Sequence, residues 1–249
     1  QAQQKAGIYP DVRRAEARYM AMLLRNTLES TAQWGAVRVI PANAEFVDVI
    51  VSGKIVRSTG KELELLMTVR DSTGHTWYAD KKYESEADLG SYLSDAALKA
   101  RDPFQNVYST IANDMLTFRN TIPVAEKLNV RRVTEMRFAQ DLAPQSYADY
   151  VVKDKDGRYQ LQRLPADGDP VFERVEKIRA RDGALIDTVS DYYGSFAEHL
   201  SEPYANWRRY SYDEINKEEK MKSQARTRML MGAAAVLGSI LVSSQCSGG

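Results

Sequence analysis

His75, His199 and Cys246 are the chain's only histidines and its only cysteine, and they stand far apart in sequence. Zinc sites need three or four such ligands brought together, and a Cys–His nucleophile pair needs a base beside the thiol. Neither arrangement is suggested by these positions. Asp154 and Asp156 precede Gly157, which invites a calcium-loop reading. An EF-hand loop would place an oxygen ligand two positions before Asp154, where Val152 stands, so the pattern reads as a turn. The sequence carries no Gly-rich phosphate loop, no GxSxG elbow and no HExxH helix. Carboxylates are plentiful but none is singled out as a pair, so glycosidase-type chemistry has no handle. The expectation is a non-enzymatic protein, with no catalytic residue, no cofactor and no metal.

Residue types suited to binding are easier to find. Tyr204, Trp207, Tyr210 and Tyr212 are close together and are expected to form one aromatic cluster, either packed inside or offered to a partner. Further on, Lys220, Lys222, Arg226 and Arg228 are not balanced by any acid between them. An uncharged apolar run follows, in which Met229, Leu230, Met231, Val236, Leu237, Ile240, Leu241 and Val242 are the candidate contact residues. The run is about 16 residues, or roughly 24 Å as helix, against a hydrocarbon core of about 30 Å. Gly232, Ala233, Ala234, Ala235, Gly238 and Ser239 suit close helix–helix contact. Three placements fit the run. It lies in or against a membrane packed on copies of itself, or inside a soluble assembly, or within a larger hydrophobic region that continues past Gly249.

The bulk numbers bound the rest. With 249 residues the chain has room for one large domain or two ordinary ones. Equal counts of basic and acidic residues, 34 each, give no global basic field for nucleic acid, and no nucleic-acid partner is expected. A single cysteine forbids an internal disulfide. The first residue is Gln1, which fits a chain whose signal peptide has been removed as well as one that begins partway in.

Several elements must position these residues. Residues 1–9 are polar and aperiodic and are expected to form a flexible arm. From Asp11 a helix is predicted, with Val12, Ala15, Tyr19, Met22 and Leu23 on one face and Trp34–Gly35 ending it. Four strands are predicted over 36–40, 47–56, 62–71 and 75–83, the last three as an antiparallel meander closed by the Ser58–Gly60 and Asp71–Gly74 turns. Gly53 suggests a bulge or a close backbone approach. In the third run, Leu63, Leu65, Met67 and Val69 are predicted to face the helices while Glu64 and Thr68 face solvent. A helix is predicted from Ser85, with Asp88 three residues on, through Leu89, Tyr92, Leu93 and Ala96. Another follows Asp102–Pro103, with Phe104, Val107, Ile111, Met115 and Phe118 on its apolar face. The second half is predicted as a helix over 125–142, then a hairpin across Asp154–Gly157. After it come a helix from Asp169–Pro170 and a further face of Leu185, Val189, Tyr192, Phe196 and Leu200 after Gly183. A long helix is predicted to open at the Ser211/Glu214 capping pair.

The stretch DVIVSGKIV followed by ELELLMTVRDSTGHTWYADKKY, with Asp48, Gly53, the Asp71–Ser72–Thr73–Gly74 turn and Trp77, resembles the amino-terminal domain of TolB. It is similar also to related domains in the curli channel protein CsgG and the LpoB-type penicillin-binding-protein activators. The resemblance covers roughly residues 11–118 and implies an envelope-assembly role without an active site. Residues 119–249 show neither propeller repeats nor the hairpins of the CsgG barrel.

The expected fold is α+β: a small antiparallel or mixed sheet packed with helices, then a mostly helical region with one hairpin and a long carboxyl-terminal helix. The expected divisions are 10–120, 121–210 and 211–249. The expected function is a structural subunit of a bacterial cell-envelope complex, on the periplasmic side and membrane-associated. Its expected partners are other envelope proteins and copies of itself. A CsgG-like secretion-channel subunit and a periplasmic hydrolase are the alternatives.

Overall fold

The computed structural model describes residues 10–40, 46–92 and 101–245, the last sixteen of these as helix backbone only. The expected arm at 1–9 and Cys246 lie outside the described residues. The fold is α+β, with one three-stranded antiparallel sheet, one two-stranded sheet and a long helix at the carboxyl end. Helix α1 (Pro10–Ser30) is followed by strands β1 (Val49–Ser58), β2 (Glu62–Asp71) and β3 (Thr76–Glu86) and a 3₁₀ turn at Leu89–Tyr92. Helices α2 (Gln105–Thr121), α3 (Val124–Leu142) and α4 (Pro144–Tyr147) come next, then strands β4 (Val151–Lys153) and β5 (Tyr159–Leu161), and last helix α5 (Pro170–Gln245).

The sheet order is β1-β2-β3, the predicted meander. Leu63, Leu65, Met67 and Val69 alternate inward and are buried in one core with Met20, Leu24 and Leu28 of α1 and Phe104, Val107, Ile111 and Met115 at α2. On the opposite face Glu64 pairs with Lys82. Gly53 does not bulge; it pairs regularly with Met67, where an added Cβ would lie 2.7 Å from the Met67 sulfur. The register breaks elsewhere. One irregularity lies between Ile55 and Arg57, and two lie in β3. At one of these Asp80 adopts φ +47° while its N–H bonds Thr68 Oγ1 at 3.0 Å, a backbone conformation that Asp tolerates better than most residues. The other turns Trp77 inward, stacked on Phe118 at 5.0 Å with its Nε1–H on Asp71 Oδ2.

Leu65→Ala is therefore expected to cost about 2 to 5 kcal/mol, whereas Leu66→Ala, on the outer face, is expected to cost under about 1 kcal/mol. Urea titration of the two variants checks the register, and equal losses would contradict it.

Some sequence expectations are corrected. Residues 36–40 form no strand, because helix side chains hold their backbone: Arg25 Nε donates to the Val37 carbonyl and Ser190 Oγ accepts from the Val39 N–H. Strand β3 runs through Ser85, so no helix starts there. Asp88 caps only the 3₁₀ turn, accepting from Gly90 N–H, and Leu93 and Ala96 lie outside the described residues.

A second core joins α3, α4, β4 and the start of α5 through Val133, Met136, Phe138, Ala139, Tyr147, Val151 and Val175. The Asp71–Gly74 turn links the two cores. Ser72 Oγ donates to the Val130 carbonyl, the Ser72 carbonyl accepts from Arg137, and Tyr159 N–H donates to the Thr73 carbonyl. Asp154 Oδ1 accepts from Asp156 N–H and Arg158 N–H, which makes 154–157 the turn its residues predict.

The largest correction concerns α5, which runs unbroken through Gly183, Pro203 and Ser211. Its 76 residues span about 114 Å. A mid-helix Gly costs about 1 kcal/mol and a Pro about 3. Docking against α1 and α3 offsets both, so the local stop signals lose to tertiary packing. The capping role read for Ser211 is replaced by a contact outside the helix, described next. The face read as Leu185, Val189, Tyr192, Phe196 and Leu200 is turned inward only in part: Leu185 and Tyr192 are exposed and Val189, Phe196 and Leu200 half-buried, while Val175, Ser190, Tyr204 and Arg208 are buried.

Candidate functional site

The residues that hold α5 to the body form a buried polar clasp. Glu16, on the inward face of α1, accepts hydrogen bonds at Oε1 from Ser58 Oγ and Tyr204 Oη, each at 2.7 Å, and pairs at Oε2 with Arg13 at 2.9 Å. One turn further along α5, Arg208 Nη1 meets Asp102 Oδ2 at 2.7 Å, with both side chains almost wholly buried. Asp102 has two duties, since its Oδ1 accepts from Phe104 N–H at the start of α2. The Arg208 guanidinium lies 4.2 Å from the Tyr204 ring centroid and 4.9 Å from that of Phe104. These faces supply a cation–π contact. They matter because Arg208 Nε and Nη2 and the Tyr108 hydroxyl have no hydrogen-bond partner among the described residues.

Burial alone would lower the Arg208 pKa. The Asp102 carboxylate and the Tyr204 and Tyr108 phenols outweigh it and hold the guanidinium above its ordinary value. Burial likewise pushes the Tyr204 and Tyr108 phenols up. A buried ion pair adds little net stability because desolvation offsets the attraction. What it fixes is position: two carboxylates on the body define the rotation and axial setting of α5.

Just beyond, the β1–β2 turn meets the helix backbone. Gly60 N–H donates to Ser211 Oγ at 3.2 Å, and Tyr92 Oη donates to the Gly60 carbonyl at 2.6 Å. Burial pushes the Tyr92 phenol up to about 12. Tyr212 packs on the Tyr92 ring at 5.2 Å, and Lys61 reaches Glu219 at 2.7 Å. From Lys217 to Met229 every side chain is exposed. The helix has left the body, carrying Lys220, Met221, Lys222, Arg226, Arg228 and Met229 outward.

The four aromatics read as one cluster therefore separate. Tyr204 is buried in the clasp, Trp207 stacks on it at 5.6 Å, Tyr212 joins Tyr92, and Tyr210 is exposed. Of the apolar-run residues, Met229 is exposed. The side chains of Leu230, Met231, Val236, Leu237, Ile240, Leu241 and Val242 lie outside the described residues, although their backbone is helical. Among the described residues no helix is long and apolar enough to cross a membrane, and no group of metal-ligating side chains is present. His75 and His199 are not brought together: the first lies 3.7 Å from Asp71 Oδ2, the second bonds its own helix at Ser195.

Two of the cavities among the described residues flank the helix. One of about 430 Å³ borders the clasp, lined by Tyr19, Tyr92, Arg101, Glu202 and Arg209 among others. The other, about 550 Å³, lies between α1, β1 and α5 and is mainly apolar.

Sequence reasoning gave Asp102 only its capping role and missed Glu16, Arg208 and Gly60. Signals existed. Glu16 falls four residues after Val12 and three before Tyr19, in phase with the apolar face, and Arg208 lies inside the aromatic run. Comparison with protein-family models, with curated proteins and with solved structures found no match.

Proposed function

We propose that this chain is a non-enzymatic assembly subunit of a bacterial cell envelope, whose folded body is locked to a helical arm that carries a basic and then apolar end to a membrane surface. The observation that carries the reading is the departure of α5 from the body. The clasp fixes the helix up to Tyr212, and the exposed stretch beyond it holds Lys220, Arg226 and Arg228 together with Lys222, which pairs with Glu218 one turn back. A basic segment next to an apolar one is suited to an anionic lipid surface, at about 1 kcal/mol per basic residue. The sequence resemblance read over residues 11–118 points the same way.

The test is truncation after Asn216. Among the described residues every buried side chain of α5 lies before that point, so the truncated chain is expected to keep its melting temperature within a few degrees. It is also expected to leave the membrane fraction in which the full chain is recovered. Retention in that fraction would overturn the proposal. Rings with single-channel conductance would favour the CsgG-like alternative, and turnover lost on replacing one carboxylate would favour a hydrolase.

A further inference from the structure

The long helix has a second face that the body does not cover. Ile178, Leu185, Tyr192, Tyr210 and Met221 are 41%, 62%, 72%, 70% and 62% exposed. The gaps between them, 7, 7, 18 and 11 residues, are close to two, two, five and three turns, so the five lie along one line of the helix. That line is turned roughly 110° from the one through Val175, Ser190, Tyr204 and Arg208, and from Ile178 to Met221 it runs about 65 Å. The strip is broken, with the exposed Glu214 on the same line between Tyr210 and Met221.

The charges on the helix say what fits the strip. Residues 170–203 hold seven acidic and four basic side chains, and residues 204–229 hold four acidic and seven basic ones. The two parts therefore carry −3 and +3. The charges tied to the body are Arg179 with Glu135, Asp187 with Arg38, Arg208 with Asp102 and Glu219 with Lys61. Removing them leaves six acidic against three basic, then three against six, the same −3 and +3. Two such helices side by side repel when parallel and attract when antiparallel.

We propose that this face of α5 pairs with the same face of a second copy, antiparallel, about a two-fold axis near Pro203. Leu185 and Met221 are each 18 residues from Pro203, so the axis sets these two exposed side chains opposite one another on each side of it. From residue 178 to 229 the helix makes about fourteen turns, which brings roughly twenty residues per copy to the seam, the scale of a standard interface. Self-complementarity about a two-fold axis closes the assembly at a dimer. The pairing needs neither the membrane nor the apolar end of the helix, so it stands or falls apart from the membrane reading.

The test uses the full chain with Cys246→Ser, carrying Leu185→Cys, Met221→Cys or both, treated with a short bis-maleimide. Within one helix positions 185 and 221 are about 54 Å apart and cannot be bridged. The expected result is a covalent dimer from the double variant and none from either single variant. A dimer from Leu185→Cys alone would mean parallel pairing, and no dimer from the double variant would mean no seam; either overturns the proposal. Sedimentation gives an independent reading. Leu185→Glu with Tyr192→Glu is expected to convert the native dimer to monomer with unchanged melting, and Leu185→Gln with Tyr192→Gln serves if the glutamates disturb the fold. A dimer that survives these changes also overturns it.

Discussion

Replacing Arg208 with methionine is expected to lower stability by about 3 to 5 kcal/mol, the range for removing one partner of a buried ion pair. The substitution keeps volume and apolar contact with Phe104 and Tyr204 but leaves the Asp102 carboxylate buried without its cation. Most of the loss is the penalty for that unpaired charge, so a second change should restore much of it. Asp102→Asn removes the charge, and the asparagine carbonyl can still accept from Phe104 N–H ahead of α2. The Arg208→Met/Asp102→Asn protein is therefore expected to be more stable than Arg208→Met alone, with a coupling of about 2 kcal/mol or more in a double-mutant cycle. Urea unfolding of the four proteins measures it. A loss under about 1 kcal/mol for Arg208→Met would mean that the clasp does not hold the helix.

Gly60→Ala is expected to be about as damaging, by a steric route. A Cβ at this position would lie 2.0 Å from the Arg208 carbonyl oxygen, 2.4 Å from the Tyr212 nitrogen and 2.9 Å from its Cα. All three are backbone atoms of a helix, which cannot swing aside as a flexible side chain would. Either the β1–β2 turn or α5 must move, and the Ser211 and Tyr92 bonds to Gly60 go with it. A cost of about 3 kcal/mol or more follows from overpacking against rigid structure. Amide exchange gives the specific signature: protection falls around 204–212 and at 58–62, while the second core around Val133 and Tyr147 is unaffected. Wild-type protection in the variant would contradict the close approach.

The sheet was legible because its rules are local. Leu63, Leu65, Met67 and Val69 alternate with polar residues, and Ser58–Gly60 and Asp71–Gly74 are the turns such strands need. Helices α2 and α3 were legible for the same reason. Helix α5 was not, because Gly183, Pro203 and Ser211 are all stop or start signals that local reasoning must honour. Their cost is offset by partners distant in sequence: Glu16 lies 188 residues from Tyr204, and Asp102 lies 106 residues from Arg208. No periodicity within the helix reports such contacts. The strand expected at 36–40 failed for a related reason. Its β-branched residues fit an extended chain, but whether that chain finds a ladder or helix side chains depends on Arg25 and Ser190. The basic run was fully legible, since it depends on composition alone.

Flotation with lipid vesicles tests the membrane reading most directly. The full chain is expected to float with vesicles containing anionic lipid and to bind neutral vesicles far more weakly. Neutralising Lys220, Lys222, Arg226 and Arg228 to glutamine removes about 4 kcal/mol of attraction, close to a thousandfold in binding. Salt at about 1 M, where screening acts within about 3 Å, should mimic that loss. Equal flotation of the native and glutamine-substituted chains, or no flotation of the native chain with anionic vesicles, would contradict the account.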